Sequence, residues 1–329
     1  MGDRSRQLDE VGEYGLMAEI ARRYYIEDET QDAVARALGL SRMKVNRLLR
    51  EAKEAGLVEI RVRFHSSQTR EIERALCRAF GLKSLLVAPE AQSPEQQRAN
   101  VAMLVAHYLE ANLRENLVIA VGMGRNVAAV ANVQPSRTFR SITFVSGSGG
   151  ASEAGAEGNA DHICRNLARR FGGTAATLYA PAFVPDAGLR EALMQHETVR
   201  RTLNLARSAD YALIGIGDLG PDSHMARMGW FTADEIGRAR AAGVVGDLMG
   251  YDFFGIEGTP RDDGLGGRVI GLSREDLARI SNTVALASES SKAMALLGAL
   301  RTGAIDILAT SLPLCMELQR MLRNHGEVV

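Results

Sequence analysis

The chain of 329 residues has little aromatic content, few prolines, only three cysteines and almost no net charge. Each shortage excludes something. Cys77, Cys164 and Cys315 are odd in number and far apart, which rules out a disulfide framework and offers no metal-binding spacing. The expectation is three reduced, buried thiols, no metal and no cofactor. No apolar run approaches the ~18 residues that a membrane-spanning helix needs. The first thirty residues are charged and lack the apolar stretch of a signal peptide, so a cytoplasmic protein with no membrane partner is expected. A net charge of −1 gives no bulk signal for nucleic acid, which leaves a local basic face as the one route to it.

Hydrophobic residues make up 46% of the chain, rich in alanine, with 33 glycines, and this suits helices packed closely on a parallel sheet. The length calls for two domains. Periodicity places the boundary: residues 1–64 read as one domain and 65–329 as another. Residues 1 to about 14 are polar and read as loose. Leu16, Met17, Ile20, Ala21 and Tyr24 then recur at helical spacing. Thr30 caps a second helix through Leu38, Gly39 ends it, and Ser41 caps a third that runs to about Glu54. Gly56 stands where a left-handed residue closes a helix. Val58, Ile60, Val62 and Phe64 alternate with Glu59, Arg61 and Arg63 as in a strand.

Two short helices joined by a glycine turn must cross steeply. Ala33, Val34, Ala37 and Leu38 are expected on one side of the crossing, and Val45, Leu48, Leu49 and Ala52 on the other. That arrangement leaves Arg42, Lys44, Asn46, Arg47 and Arg50 outward. From Ser41 to Lys53 five basic residues face one acidic residue, a local +4 inside a neutral chain. Such a face can enter the major groove of double-stranded operator DNA with its first turn at the base edges. Arg42, Lys44, Asn46 and Arg47 are candidates for base contact, Arg with guanine and Asn with adenine. Arg50 is better placed for phosphate, and Ser41 marks the start of the reading helix. A strand carrying Arg61 and Arg63 would form a wing.

This segment resembles the winged helix-turn-helix of the SorC family of sugar-responsive transcriptional regulators. The matching residues include Thr30-Gln31, Ala35, Leu38-Gly39, Ser41-Arg42, Val45, Arg47-Leu48-Leu49, Ala52, Gly56-Leu57-Val58 and Ile60. The resemblance continues through VIAVGMGRNVAAV (118–130), ALIGIGDLGPDS (212–223), AAGVVGDLMGYDFF (241–254) and KAMALLGALRTGAIDILAT (292–310). It implies an effector domain with a fold like that of sugar-phosphate isomerases and deaminases, and a tetrameric regulator.

From Gly81 onward the chain alternates strands and helices, which implies an α/β, doubly wound, mainly parallel sheet. Strands are expected at Ser84–Val87, Leu117–Val121, Ser141–Ser146, Thr177–Tyr179, Ala212–Ile216, Val269–Gly271, Val284–Ala287 and Ile305–Leu308. Ser93-Pro94, Thr232-x-x-Glu235 and Ser273-x-x-Asp276 read as helix starts. Open α/β sheets bind ligands at the C-terminal ends of their strands. Gly122-Met123-Gly124-Arg125-Asn126 follows a strand there. It is either an anion-approaching loop, with Arg125 adding a contact, or a plain tight turn. It is not a dinucleotide fingerprint, because Val127 fills the third glycine position.

Asp247 either accepts two sugar hydroxyls or caps a turn. Lys292 opens a helix, where its charge opposes the dipole and calls for a phosphate or a carboxylate such as Asp247. Asn159 is either a ligand contact or an N-cap, and His162 reads as packing. The resemblance implies effector roles for Asp247 and Lys292. Two departures stand out: Ser288-Glu289-Ser290-Ser291-Lys292 where the family has Gly-Gly-x-x-Lys, and Thr310-Ser311-Leu312 where it has Thr-Asp-Glu. Glu289 beside the lysine weakens the case for a phosphorylated effector and brings in a neutral polyol or free sugar.

The expected function is a regulator of a carbohydrate or polyol operon, controlled by a sugar, sugar phosphate or polyol and acting as a dimer or tetramer. The alternative is a sugar-phosphate isomerase or deaminase with an added N-terminal module. Such an enzyme needs a poised acid–base pair, and the sequence offers no convincing one.

Overall fold

The computed structural model describes residues 2–58, 67–150, 158–220, 229–249, 252–261 and 266–324. The chain divides into two compact units, Met1–Arg63 and Phe64–Val329.

The first unit contains α1 (Gly2–Tyr25), α2 (Gln31–Leu38) and α3 (Arg42–Glu54). The helix marked by Leu16 to Tyr24 extends back to Gly2, so the residues expected to be loose are helical in their backbone. The Thr30 side chain accepts the Ala33 N–H and that of Ser41 accepts the Lys44 N–H, satisfying two amides that the helix starts leave open. Gly39 at φ 65° turns the chain out of α2. Val34, Val45, Leu48 and Ala52 are fully buried with Ile20 between the helices. On α2 it is Ala35, not Ala37, that turns inward. The wing expected after Val58, with Arg61 and Arg63, lies outside the described residues.

The second unit opens with α4 (Ser67–Phe80), β1 (Ser84–Ala88), α5 (Pro94–Asn112), β2 (Val118–Val121), α6 (Arg125–Val130) and β3 (Phe139–Ser146). It continues with α7 (Ala160–Phe171), β4 (Gly172–Ala176), α8 (Ala187–Gln195), α9 (Glu197–Arg207), β5 (Tyr211–Asp218) and α10 (Ala233–Ala241). After β6 (Val244–Leu248), β7 (Asp252–Gly255), α11 (Arg274–Leu277) and β8 (Thr283–Ala287) it closes with α12 (Ala293–Arg301), β9 (Ile307–Ser311) and α13 (Leu312–Asn324). Strands in the order β1-β9-β8-β5-β2-β3-β4 pair in parallel throughout, while β6 and β7 form an antiparallel extension from β5.

Residues alternate between two apolar layers, as a strand's period of two demands. Val284 and Leu286 of β8, with Leu213 of β5 and Ile119 of β2, face the layer of α5 and α7. Ala285, Ala287, Ile214 and Ala120 face the layer of α4, α12 and α13. The sheet is therefore covered on both faces, and its ligand-accessible parts are its ends.

Three expectations require correction. The fourth strand is Gly172–Ala176, not Thr177–Tyr179, because Gly172 and Gly173 allow an approach to β3 that side chains would block. A Cβ on Gly172 would lie 2.0 Å from the Phe139 carbonyl oxygen. Val269–Gly271 makes only isolated bridges, Val269 with Phe183 and Gly271 with Ser148. Finally, Gly246-Asp247-Leu248, which lies in none of the expected strands, is strand. Of the thiols, Cys164 and Cys315 are buried and Cys77 is half-buried, and all three are free.

Candidate functional site

In the first unit, Ser41, Arg42, Lys44, Asn46, Arg47 and Arg50 are all exposed on α3, opposite the buried row Val45, Leu48, Leu49 and Ala52. The 3.6-residue period alone produces this split. Arg42 lies 3.7 Å from Asp32 and Arg47 lies 3.7 Å from Glu51, both in solvent, where such pairs hold the side chains only weakly. Met43 is 85% exposed between Arg42 and Lys44, an apolar side chain that the sequence reading passed over.

In the second unit the strand order fixes where a ligand can sit. From β2 the chain runs outward to β3 and β4, then returns to place β5 on β2's other side and proceeds to β8 and β9. The order reverses at β2 and β5, so a crevice opens between their C-terminal ends. Gly122-Met123-Gly124-Arg125-Asn126 leaves β2 at that point, and Gly215-Ile216-Gly217-Asp218 ends β5 there.

Two amides of the glycine loop are already in use. The Gly122 N–H donates to the Leu213 carbonyl and the Gly124 N–H to the Gly158 carbonyl, both at 2.8 Å. Gly124 has φ 108° and ψ 163°, a conformation that requires glycine. Met123 is buried and Arg125 is exposed.

Asp247 is 99% buried in β6, reached by the antiparallel pairing of Gly217 with Asp247. A side chain at Gly217 would collide with its carboxylate, so the missing Cβ makes the space in which the acid lies. Met249, in a left-handed conformation at φ 59°, sends its thioether against Gly122 and Gly147. It thereby lines the floor where β2 and β3 end.

Lys292 donates to the Ile216 carbonyl at 2.8 Å, next to Gly217, and lies 3.7 Å from Glu289. Its charge at the start of α12 is thus compensated at least in part by Glu289. Glu289 also accepts from Arg98 at 3.2 Å and from Asn126 at 3.0 Å. Burial alone would raise its pKa, but Lys292, Asn126 and Arg98 outweigh burial and hold it at about 2. Asn126 is spoken for on both sides of its amide, since Ser288 donates to its oxygen at 2.7 Å. Asn126 therefore helps to position Glu289. Arg98 was missed in the sequence because it stands on α5, 191 residues from its partner.

Asn159 is the N-cap of α7, its oxygen accepting the Asp161 N–H at 3.4 Å. His162 is exposed rather than packed. Among the described residues no group of His, Cys, Asp and Glu is arranged to hold a metal, and no helix is long and apolar enough to cross a membrane.

An outward basic reading helix in one unit and a switch-point crevice lined by a buried acid and a lysine in the other define a ligand-responsive transcription factor. The profile of the sugar-binding domain family matches residues 65–313, and the chain belongs to that family of transcriptional regulators. It is 27% identical over 289 residues to the erythritol catabolism regulatory protein EryD of Brucella abortus, spanning 87% of this chain and 90% of that protein. The sugar-binding domain of a transcriptional repressor from Vibrio fischeri superposes with a TM-score of 0.72 at 47% identity, covering 78% of this chain and all of that one. The full-length sorbitol operon regulator SorC of Klebsiella pneumoniae gives a TM-score of 0.78 at 25% identity, over 92% of this chain and 97% of that one. These relatives are regulators, which favours that class over the isomerase or deaminase alternative.

Proposed function

We propose that the chain regulates a carbohydrate or polyol operon by binding double-stranded operator DNA through α3 and a small polyhydroxyl effector at the end of the sheet. The observation that carries this reading is the convergence of Asp247, Lys292 and the Gly122–Asn126 loop on the one crevice the strand order creates. Asp247 can accept two vicinal hydroxyls and Lys292 can donate to a third oxygen. Ser41, Arg42, Lys44, Asn46, Arg47 and Arg50 meet the DNA.

The assignment of residues 1–64 to DNA binding and 65–329 to effector binding and assembly follows from this placement. Symmetric operators require at least a dimer, and a tetramer is the state the family resemblance favours. Effector acts by binding one arrangement of the subunits more tightly than another and so changing the spacing of the DNA-binding units. The protein works where its DNA is, in the cytoplasm. The test is a gel-shift titration on the chain's own promoter region, with and without a panel of sugars, polyols and their phosphates. No preference over random duplex under any condition would remove this reading.

A further inference from the structure

The proposed effector reading leaves the charge of the effector open, and the ion pairs at the crevice decide it. We propose that this crevice takes a neutral polyhydroxyl compound, a polyol or free sugar, and rejects its phosphate ester, because Glu289 occupies the cations that a phosphate would need. The inference rests on the effector reading above.

Arg98 and Lys292 are both bound by the one half-buried carboxylate of Glu289. Asp247 on β6 adds a second carboxylate at this end of the sheet. A phosphate ester brings about −1.5 to −2 charges at neutral pH. It would have to strip Arg98 or Lys292 from Glu289, leaving a half-buried acid exposed to repulsion, or else sit beside two carboxylates. The Gly122 and Gly124 amides give a phosphate no help, since both are already donated within the protein. α6, which follows the loop, is only six residues long and offers little dipole. Arg125, the loop's own cation, is solvent-exposed. Groups suited to hydroxyls are present instead. Besides Asp247, the Ser148 hydroxyl follows β3 at the same end of the sheet, buried and without a hydrogen-bond partner among the described residues.

The test is calorimetric titration of the full-length protein with tetritols, pentitols, hexitols and the matching aldoses, each against its terminal monophosphate, with inorganic phosphate as competitor. The expected result is a neutral compound that binds at least about tenfold more tightly than its ester, a difference that phosphate does not alter. In Glu289→Gln the ester gains at least about tenfold while the neutral compound changes less. The wild-type preference stands as a test even if that variant fails to fold. An ester that binds wild-type protein as tightly as its parent compound, and shifts operator binding, overturns this inference while keeping the effector reading. If no compound of either class binds while operator binding persists, the effector reading falls and this inference with it.

A second observation stands by itself in the other unit. Met43 is the most exposed large hydrophobic residue among the described ones, and it sits on the first turn of a helix whose outward neighbours Arg42, Lys44 and Arg47 are cationic. The charge around it fits a polyanion, not an apolar protein surface. In the major groove the apolar feature of a base edge is the thymine methyl group. We infer that Met43 reads a thymine methyl in the operator.

Replacing single thymines by uracil, in a site selected by the wild-type protein from random duplex, removes only that methyl. Wild-type affinity is expected to fall about three- to fourfold at one thymine of each half-site. Met43→Ala is expected to bind the thymine and uracil versions equally. Equal losses in both proteins, or none in wild type, overturn the assignment.

Discussion

Asp247 and Gly217 are cross-strand partners, and a Cβ on Gly217 would lie 1.9 Å from Asp247 Oδ2. The acid's position thus depends on a glycine in a different strand. Gly217→Ala and Asp247→Asn are both expected to abolish the effector response, the first by pushing the carboxylate out of place, while operator binding persists. Gel shifts with and without effector check this, and a Gly217→Ala protein with a normal response would detach Asp247 from effector binding.

On the DNA side, Arg47→Ala is expected to weaken operator binding and leave effector affinity unchanged. If Arg47 reads a base, the loss is about 1–3 kcal/mol and specificity relaxes at one position. If it holds a phosphate instead, all sequences weaken alike and the salt slope falls by about one. Binding measured over a series of salt concentrations on two operator variants separates the cases.

Leu48 is fully buried between α1, α2 and α3. Leu48→Ala leaves a cavity that costs about 2–5 kcal/mol, a large fraction of the stability of so small a unit. Operator binding is expected to fail at temperatures where the second unit remains folded, which circular dichroism and effector calorimetry on the same sample will show.

The Glu289 carboxyl, ordinarily near 4.5, is held at about 2. A lowered acid stabilises the fold above its unfolded pKa, and that contribution fades as pH falls toward the folded value. The difference corresponds to about 3 kcal/mol at neutral pH. Unfolding of wild type and Glu289→Gln compared from pH 5 to pH 2 is expected to show wild type losing its advantage across that window, roughly between 4.5 and 2. A pH-independent difference would mean that Glu289 contributes through shape and not through charge.

Gly124 has open space where a Cβ would go, yet its φ of 108° is one that other residues rarely adopt. Gly124→Ala is therefore a purely conformational change, expected to cost about 1–3 kcal/mol. Denaturant midpoints measure it.

What the sequence made legible follows from which forces act locally. Caps are short-range, so Thr30, Gly39 and Ser41 marked α2 and α3 correctly. The buried row of α3 and the central strands announced themselves by periodicity. β4 and β6 did not, because each depends on glycines that let two backbones approach. Gly172 and Gly173 reach β3, and Gly246 comes so near Gly217 that a Cβ would fall 2.7 Å from its carbonyl oxygen. Such glycines lower β propensity while permitting the strand. At the crevice, Asp247 and Lys292 could be singled out as candidates. Glu289 was noticed as a departure, but its clamp by Arg98 and Asn126 joins segments far apart in the chain, and no local pattern encodes it.

The hairpin of β6 and β7 carries Asp247 and Met249 yet belongs to no face of the parallel sheet, pairing only along the end of β5. The hairpin is nonetheless built into the core, with Val244, Leu248, Met249, Phe253 and Phe254 all buried. A substitution at any of these positions is therefore felt by the acid and by the packing around it together.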